Sequence, residues 1–139
     1  MDQRLVESVK RHEGWREKAY QDTEGIWTVG YGRNLQELTI SKELGTQWLV
    51  EDIAEAMGYA RGFEEWTKLN TDARRNVFVE MIFNMGPSRV AGFKNMLRAI
   101  KEQDWVKASE EMLDSRWARQ VGRRADRLAK LMKEGNYAD

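Results

Sequence analysis

Apolar residues recur at helical spacing in two stretches of the first half of the chain. Residues 3–13 carry Leu5, Val6 and Val9 on one side of a helical pattern. Residues 42–60 follow Ser41, which suits a helix N-cap, and carry apolar side chains at 44, 48, 49, 53 and 57. The pattern predicts a short first helix and a longer second one, which at about 1.5 Å per residue can join a sheet lobe to a helical lobe.

Residues 15–35, between these helices, contain short β-prone runs separated by turn residues. Asp22-Thr23-Glu24-Gly25 is typical of a turn, and the run from Ile26 to Gly32 predicts a strand. Glycines within a strand leave room for another group to approach the backbone. This segment therefore predicts a small twisted antiparallel sheet with an accessible backbone.

The second half of the chain predicts helices in short pieces. Thr71 suits the N-cap of the first, and Gly86-Pro87 provides the sharpest stop signal in the sequence. The predicted helices cover 72–85, 90–103, 105–114, 116–121 and 123–134. Together with the sheet, they give a fold class of α+β, mostly α.

Composition limits the classes of protein that this chain can belong to. Its 139 residues are enough for one domain over 1–139, and 41% hydrophobic with 33% charged residues is typical of a globular chain. No apolar run approaches the ~18 residues of a membrane-spanning helix, and the N-terminus lacks the apolar core of a signal peptide. With no cysteine and one histidine, neither a disulfide nor a zinc site is expected, and a reducing cytoplasm suits the chain.

The net charge of +0 conceals an uneven distribution. Residues 1–65 hold 8 Lys and Arg against 13 Asp and Glu, whereas the remaining residues hold 15 against 10. A basic half suits an anionic polymer, either cell wall or nucleic acid. Composition does not choose between these two partners.

Two carboxylates and a hydroxyl fall on three different local structures near the N-terminus. Glu13 ends the first helical pattern, Asp22 opens the turn, and Thr28 lies in the following strand. Glycoside hydrolysis needs an acid and a base or nucleophile in different environments. Apolar neighbours predict partial burial of Glu13, which favours its neutral form, while Asp22 in a polar turn stays ionised. The alternative is that Glu13 only ends a helix and Asp22 only forms a turn.

Several separated motifs resemble the T-even phage lysozymes of glycoside hydrolase family 24. Lys18 to Gly25 matches the turn of that family, and the Glu13, Asp22, Thr28 spacing matches its catalytic set. Further matches run through the chain: Met81-Ile82-Phe83-Asn84-Met85-Gly86, Val90-Ala91-Gly92-Phe93, Ser115-Arg116-Trp117 and Asn136-Tyr137. The resemblance covers nearly the whole chain and leaves open whether it is a natural or a designed member.

The resemblance implies a single two-lobed lysozyme domain. A small sheet lobe is expected at about 14–40, an inter-lobe helix at about 42–60, and a helical lobe at about 66–139 that includes the N-terminal helix 3–13. The activity implied is a muramidase that cuts the β-1,4 bond between N-acetylmuramic acid and N-acetylglucosamine with inversion. Carried over by position, Glu13 is the general acid, Asp22 activates water and Thr28 positions that water.

The resemblance also assigns supporting roles, each with a simpler alternative. Arg124 aligns with an arginine that pairs with the catalytic glutamate, or it is a surface cation. Arg33 stands where the family commonly has histidine, and it either binds at the cleft or is a solvated loop charge. The residues expected to contact sugar are Phe83, Asn84, Asn34, Met96 and Glu111. Core packing is the alternative for Phe83, and the last three differ from the residues that the family commonly has there.

The resemblance implies an enzyme without cofactor or metal, acting on bacterial peptidoglycan as a monomer. Neither nucleic-acid binding nor membrane insertion is expected. A phage endolysin of this kind is made in the host cytoplasm and reaches the periplasmic wall through a separate pore protein. Three alternatives remain: an inactive wall-binding domain, a basic nucleic-acid-binding helical module built on the Arg116–Arg127 cluster, and a transglycosylase. The retained Asp22 favours water over the last.

Overall fold

The computed structural model describes residues 1–137, which form eight α-helices, a short 3₁₀ helix and one three-stranded sheet. In chain order these are α1 (Gln3–Glu13), β1 (Arg16–Gln21), β2 (Trp27–Gly30), β3 (Arg33–Asn34), α2 (Lys42–Arg61), the 3₁₀ helix η1 (Glu64–Lys68), α3 (Asp72–Met85), α4 (Pro87–Ala91), α5 (Lys94–Lys101), α6 (Trp105–Leu113), α7 (Arg116–Val121) and α8 (Arg123–Glu134). The predicted α+β, mostly α fold class is confirmed.

The chain divides into two compact units, Met1–Gly45 and Thr46–Asp139. The first contains α1 and the sheet, and the second contains the helices from α3 onward. Thus α1 groups with the sheet, whereas the resemblance to the lysozyme family implied that it belongs to the helical lobe. The organisation as one lysozyme domain stays a prediction.

The three strands of the first unit are antiparallel and follow one another in the order β1-β2-β3. Tyr20 pairs with Thr28 across β1 and β2, and Thr28 pairs in turn with Asn34 of β3. Beside the sheet, the rings of Trp15 and Tyr31 lie 5.1 Å apart. The predicted antiparallel sheet is therefore confirmed, with Thr28 at its centre.

The predicted helix ends depend on local capping groups that the structure contains. The Ser41 hydroxyl accepts a hydrogen bond from the Leu44 amide at 3.1 Å, and the Thr71 hydroxyl accepts one from the Arg74 amide at 3.1 Å. Gly86 ends α3 with φ 89, a conformation that favours glycine. These caps satisfy amide groups that a helix start otherwise leaves unpaired.

One predicted helix is wrong. The expected helix 90–103 is two helices, α4 and α5, because the chain leaves helical geometry at Phe93 (φ −79, ψ 62). The Phe93 ring makes an edge contact with the buried ring of Trp117 at 6.3 Å. Helical periodicity alone did not reveal this break, since it accompanies a contact with a residue far along the sequence.

Large side chains from several helices form the core of the second unit. Fully buried members include Phe78 and Met81 from α3, Ile100 from α5, Met112 from α6 and Met132 from α8. Burying side chains of this size stabilises a fold by about 1.5–3 kcal/mol each. Among residues 1–137, no helix is both long and apolar enough to cross a membrane.

Candidate active site

The first candidate residue, Glu13, lies at the last position of α1 and packs against the backbone of Gly32. A Cβ atom built on Gly32 would lie 2.9 Å from Glu13 Oε2 and 3.4 Å from Glu13 Cδ. Gly32 also has φ +84, which side-chain-bearing residues rarely adopt. The predicted close approach to a glycine of this segment is thus observed, although Gly32 lies in the turn between β2 and β3 and not within a strand. The approaching group is the candidate acid itself.

The surroundings of Glu13 differ from the expectation in one respect. Its side chain is exposed, so the predicted partial burial is wrong. Helical spacing placed apolar residues on α1, but no residue of α1 is buried. Glu13 is the last residue of the helix. The next residue, Gly14, adopts φ 74 and ends the helix, and its amide donates a hydrogen bond to the Lys10 carbonyl at 2.9 Å.

Asp22 is held by the loop that joins β1 to β2. Its Oδ1 atom accepts hydrogen bonds from the Glu24 amide at 2.8 Å and from the Ile26 amide at 2.9 Å. Its own amide donates to the Ile26 carbonyl at 2.9 Å. The side chain is half-buried, and Oδ2 has no hydrogen-bond partner within residues 1–137. One carboxylate oxygen therefore fixes the loop, and the other is free to act on a bound molecule.

Thr28 is 5% exposed and lies near Asp22 in the hairpin. Thr28 is paired with Tyr20, so those two side chains share one face of the sheet, and Asp22 comes directly after the end of β1. The Thr28 hydroxyl donates to the Ile26 carbonyl at 2.9 Å. Because its proton is used in that bond, the Thr28 oxygen presents lone pairs to a neighbouring donor.

The two remaining candidates of the first unit lie on β3. Asn34 is half-buried beside Thr28, and its Oδ1 accepts the Gln36 amide at 2.8 Å, forming a local turn. Arg33 is exposed and pairs by register with Val29. Its guanidinium has no hydrogen bond or ion pair within residues 1–137. The roles predicted for both residues stay predictions.

In the second unit, Arg124 and Phe83 line the same cavity of about 510 Å³. Arg124 Nε donates to Glu80 Oε2 at 2.9 Å, and Phe83 is 40% exposed. Sequence reasoning did not select Glu80, although a charged residue inside the apolar run of α3 was a signal that could have found it. The expected pairing of Arg124 with Glu13 stays a prediction, since those residues belong to different units.

Asn84 receives a specific hydrogen bond from the interior of the second unit. Its Oδ1 accepts a hydrogen bond from Trp117 Nε1, with 2.7 Å between the two atoms, and Trp117 is only 6% exposed. Asn84 itself is exposed. The bond fixes the orientation of the amide, so its NH₂ group points away from Trp117 and can donate to another acceptor.

Met96 and Glu111, the last two candidates, line a smaller cavity of about 240 Å³ with Ser115 and Asn95. Met96 is 1% exposed and belongs to the core. The Glu111 carboxylate forms an ion pair with the Lys107 ammonium at 3.1 Å, and this interaction raises the pKa of Lys107. The structure therefore brings these two together, with Met96 buried and Glu111 already paired.

Residues 1–137 hold no group of three or more histidine or acidic side chains that could bind a metal ion. The chemistry available to the described residues is that of carboxyl, hydroxyl, amide and guanidinium groups. Carboxyl groups supply and accept protons, and a threonine or asparagine orients water or sugar hydroxyls.

Comparison with known proteins gives a consistent result. The family model described as phage lysozyme matches residues 10–134. A probable T4-type lysozyme 1 from Dictyostelium discoideum is 25% identical, covering 94% of this chain and 94% of that protein. An endolysin of Acyrthosiphon pisum secondary endosymbiont phage 1 is 29% identical, covering 84% of this chain and 80% of the relative.

A third relative is much longer than this chain. The pre-baseplate central spike protein Gp5 of Enterobacteria phage T4 is 29% identical over 95% of this chain, but the match covers 28% of the spike protein. The shared part is therefore one segment of a longer protein.

Proposed function

We propose that this chain, which belongs to the phage lysozyme family, hydrolyses the β-1,4 bond between N-acetylmuramic acid and N-acetylglucosamine in bacterial peptidoglycan. Family membership makes it a glycoside hydrolase, and the predicted family and enzyme class are confirmed. The match includes Glu13, Asp22 and Thr28, since it runs from residue 10 to residue 134. The choice of bond and the steps below are our proposal.

The observation that carries the proposal is the contrast between the two carboxyl groups of the first unit. Glu13 Oε2 lies against the Gly32 backbone at a helix end, whereas Asp22 is oriented by two amide donors in a turn. Different surroundings are what allow two carboxyl groups to act as acid and base in one reaction.

In the proposed reaction, Glu13 gives its proton to the glycosidic oxygen as the bond from that oxygen to the anomeric carbon breaks. A water molecule attacks the anomeric carbon, and Asp22 Oδ2 accepts the proton that this water loses. The Thr28 oxygen accepts a hydrogen bond from the same water, because its own proton is donated to Ile26. Water enters from the face opposite the leaving oxygen, so the product has inverted configuration.

The test is lysis of outer-membrane-permeabilised Gram-negative cells by wild type and Glu13→Gln, with new reducing ends measured on purified wall. We expect wild type to clear cells and release reducing ends, and the variant to lose both by about 10²–10⁴-fold. Equal activity in a folded variant would remove Glu13 from the reaction. NMR of the first product distinguishes inversion from retention, and an anhydro sugar would indicate a transglycosylase.

We also infer the setting in which the chain acts. A relative named endolysin supports production in the cytoplasm of a phage host, with a separate pore protein giving access to the wall. In this setting, the chain acts as a monomer on peptidoglycan, without nucleic acid or membrane insertion. Fractionation of host cells with and without the pore protein tests the route, and sedimentation of the pure protein tests its monomeric state.

A further inference from the structure

A dense set of positive side chains covers the outer side of α7 and α8. Residues 116–133 contain seven Lys and Arg and one acidic residue, Asp126. Six of these cations are exposed, and five of the six form what we call the cationic surface: Arg116, Arg119, Arg123, Arg127 and Lys130. Within residues 1–137, none of the five forms an ion pair with a carboxylate.

The cationic surface has no evident role in holding the fold together. Like charges three or four positions apart on a helix destabilise it slightly, and Arg123 and Arg127 are four apart. Arg124, which lies between them in sequence, is paired with Glu80 and does not belong to the surface. Five unpaired cations that repel one another are better explained by an anionic partner than by folding.

The apolar sides of the same helices are already occupied. Ala125, Leu128 and Met132 of α8 are buried in the core, and Trp117 of α7 is buried against Asn84. An amphipathic helix that inserts into a bilayer surface needs a free apolar face. The cationic surface therefore offers charge alone and does not fit membrane insertion.

We propose that the cationic surface docks the carboxylate-bearing peptide stems of peptidoglycan, so that the enzyme stays on the wall polymer between cuts. This proposal rests on the proposed function, which supplies a substrate with many regularly spaced carboxylates. The argument is charge complementarity: five unpaired cations face outward, and none of the ten candidate site residues is among them.

Nucleic acid is also anionic, but the composition of the surface favours the wall. Proteins that bind single strands stack bases on exposed aromatic rings, and those that read duplexes use specific polar side chains in a groove. Apart from its cations, the exposed residues of 116–133 are Gln120, Gly122 and Asp126. A surface of this kind can bind a partner whose negative charges are distributed along a polymer, but it offers no group that recognises a nucleic-acid base.

The test measures binding without catalysis, in a Glu13→Gln background, by co-sedimentation with purified peptidoglycan sacculi. Chitin particles, which have a similar sugar backbone without peptide stems, serve as the neutral polymer. We expect binding to sacculi that weakens with salt and little binding to chitin, because exposed charges are screened over about 10 Å at 0.1 M salt. Removing three cations with Arg119→Gln, Arg123→Gln and Arg127→Gln is expected to weaken binding roughly tenfold or more.

The matched control removes the same charge elsewhere in the second unit, with Arg61→Gln, Lys68→Gln and Arg98→Gln, all exposed positions. This control is expected to bind nearly as well as the parent. A second variant that keeps the charge, with Arg119→Lys, Arg123→Lys and Arg127→Lys, is also expected to bind nearly as well as the parent. Equal loss in both Gln sets, or salt-independent binding, would overturn the proposal. Tighter binding to duplex DNA than to sacculi would also overturn it. Loss of wild-type hydrolysis with binding intact would instead refute the proposed function.

Discussion

The position of the candidate acid depends on a residue that has no side chain. Glu13 Oε2 occupies the space that a Cβ atom on Gly32 would enter, at 2.9 Å. The carboxyl therefore has a defined neighbour even though its side chain is exposed. A side chain added at Gly32 would therefore meet the carboxyl group of the candidate acid directly.

We expect Gly32→Ala to reduce lysozyme activity at least tenfold, because the new methyl group must displace the Glu13 carboxyl. The left-handed backbone also costs about 1–2 kcal/mol of stability. Gly30→Ala is the control: its φ is +68, but its Cβ would meet only Trp15 Cζ3 at an ordinary 3.6 Å. Activity and thermal unfolding are measured for both. A similar loss of activity in the two variants would show that backbone strain, not displacement of Glu13, is responsible.

Asp22→Asn separates the loop-forming role of Asp22 from its chemical role. An asparagine oxygen still accepts the Glu24 and Ile26 amides, so the loop is expected to keep its structure. Without a carboxylate to accept the proton from water, activity is expected to fall by about 10²–10⁴-fold. Glu24→Gln, an exposed acid on the same loop, is expected to remain active. Circular dichroism checks the fold, and a fully active Asp22→Asn protein would remove Asp22 from the mechanism.

At the scale of elements, one arginine ties α8 to α3. Arg74 of α3 donates from Nε to the Met132 carbonyl at 2.8 Å and from Nη2 to the Lys133 carbonyl at 2.9 Å. Its guanidinium also lies 4.2 Å from the centre of the Trp105 ring, and burial lowers its pKa. The last carbonyl groups of a helix lack partners within that helix, so Arg74 acts as a cap supplied by a different helix.

We expect Arg74→Lys to lower the free energy of unfolding by about 2–4 kcal/mol, since a single ammonium cannot reach both carbonyls and keep the ring contact. Arg127→Lys is the control, because Arg127 is exposed and without an ion pair in residues 1–137. Urea unfolding measures the change. Equal stability of the two variants would mean that the bonds to α8 contribute little.

The 3₁₀ helix η1 contains a buried carboxylate with one oxygen atom that lacks a hydrogen-bond partner within residues 1–137. Glu65 is 8% exposed, and its Oε2 has no hydrogen-bond partner within residues 1–137. Its neighbour Glu64 is exposed and paired with Lys101 at 2.8 Å, which lowers the pKa of Glu64. Burying a polar atom without a hydrogen-bond partner costs free energy, so we expect the unpartnered oxygen of Glu65 to lower the stability of the second unit.

Glu65→Met is expected to raise the free energy of unfolding by about 1–3 kcal/mol, because it replaces an unpartnered buried oxygen with an apolar group of similar size. Glu64→Met, at an exposed position, is expected to change stability little or to lower it slightly. Thermal unfolding of the two variants at neutral pH gives the comparison. Destabilisation by Glu65→Met would reveal a favourable interaction of that carboxylate.

At the scale of the whole molecule, charge is distributed unevenly although the total is zero. Residues 1–65 hold five more acids than bases, and the candidate carboxyl groups lie in this part. The remaining residues hold five more bases than acids, including the cationic surface. An anionic polymer is therefore attracted to the basic part of the chain and repelled by the acidic part.

Chelators are expected to leave hydrolysis of purified wall unchanged. The chain has no cysteine and one histidine, and the proposed steps use carboxyl and hydroxyl groups alone. Reducing-end release is measured with and without EDTA, and in a control sample to which zinc or calcium is added back after EDTA treatment. Inhibition that zinc or calcium reverses would contradict the expected metal-free reaction.

Much of the fold and part of the candidate site followed from local sequence signals. Ser41, Thr71 and Gly86 marked helix ends correctly, since capping depends on neighbouring residues. The hairpin that brings Thr28 beside Asp22 followed from two β-prone runs and a turn. The break at Phe93 and the pairing of Arg124 with Glu80 were not predicted, and each accompanies a contact with a residue more than 20 positions away.

The sequence by itself determined most of the helix and strand segments, because these depend on short-range spacing. The resemblance of its separated motifs to a known family supplied the family and the candidate acid, base and threonine. Only the tertiary structure decided that Glu13 is exposed yet lies against Gly32, that Asn84 is oriented by Trp117, and that Arg74 caps α8. The physical reason is that each of these contacts joins residues distant in sequence. Packing of the whole unit determines which residues distant in sequence come into contact, and no single segment contains that information.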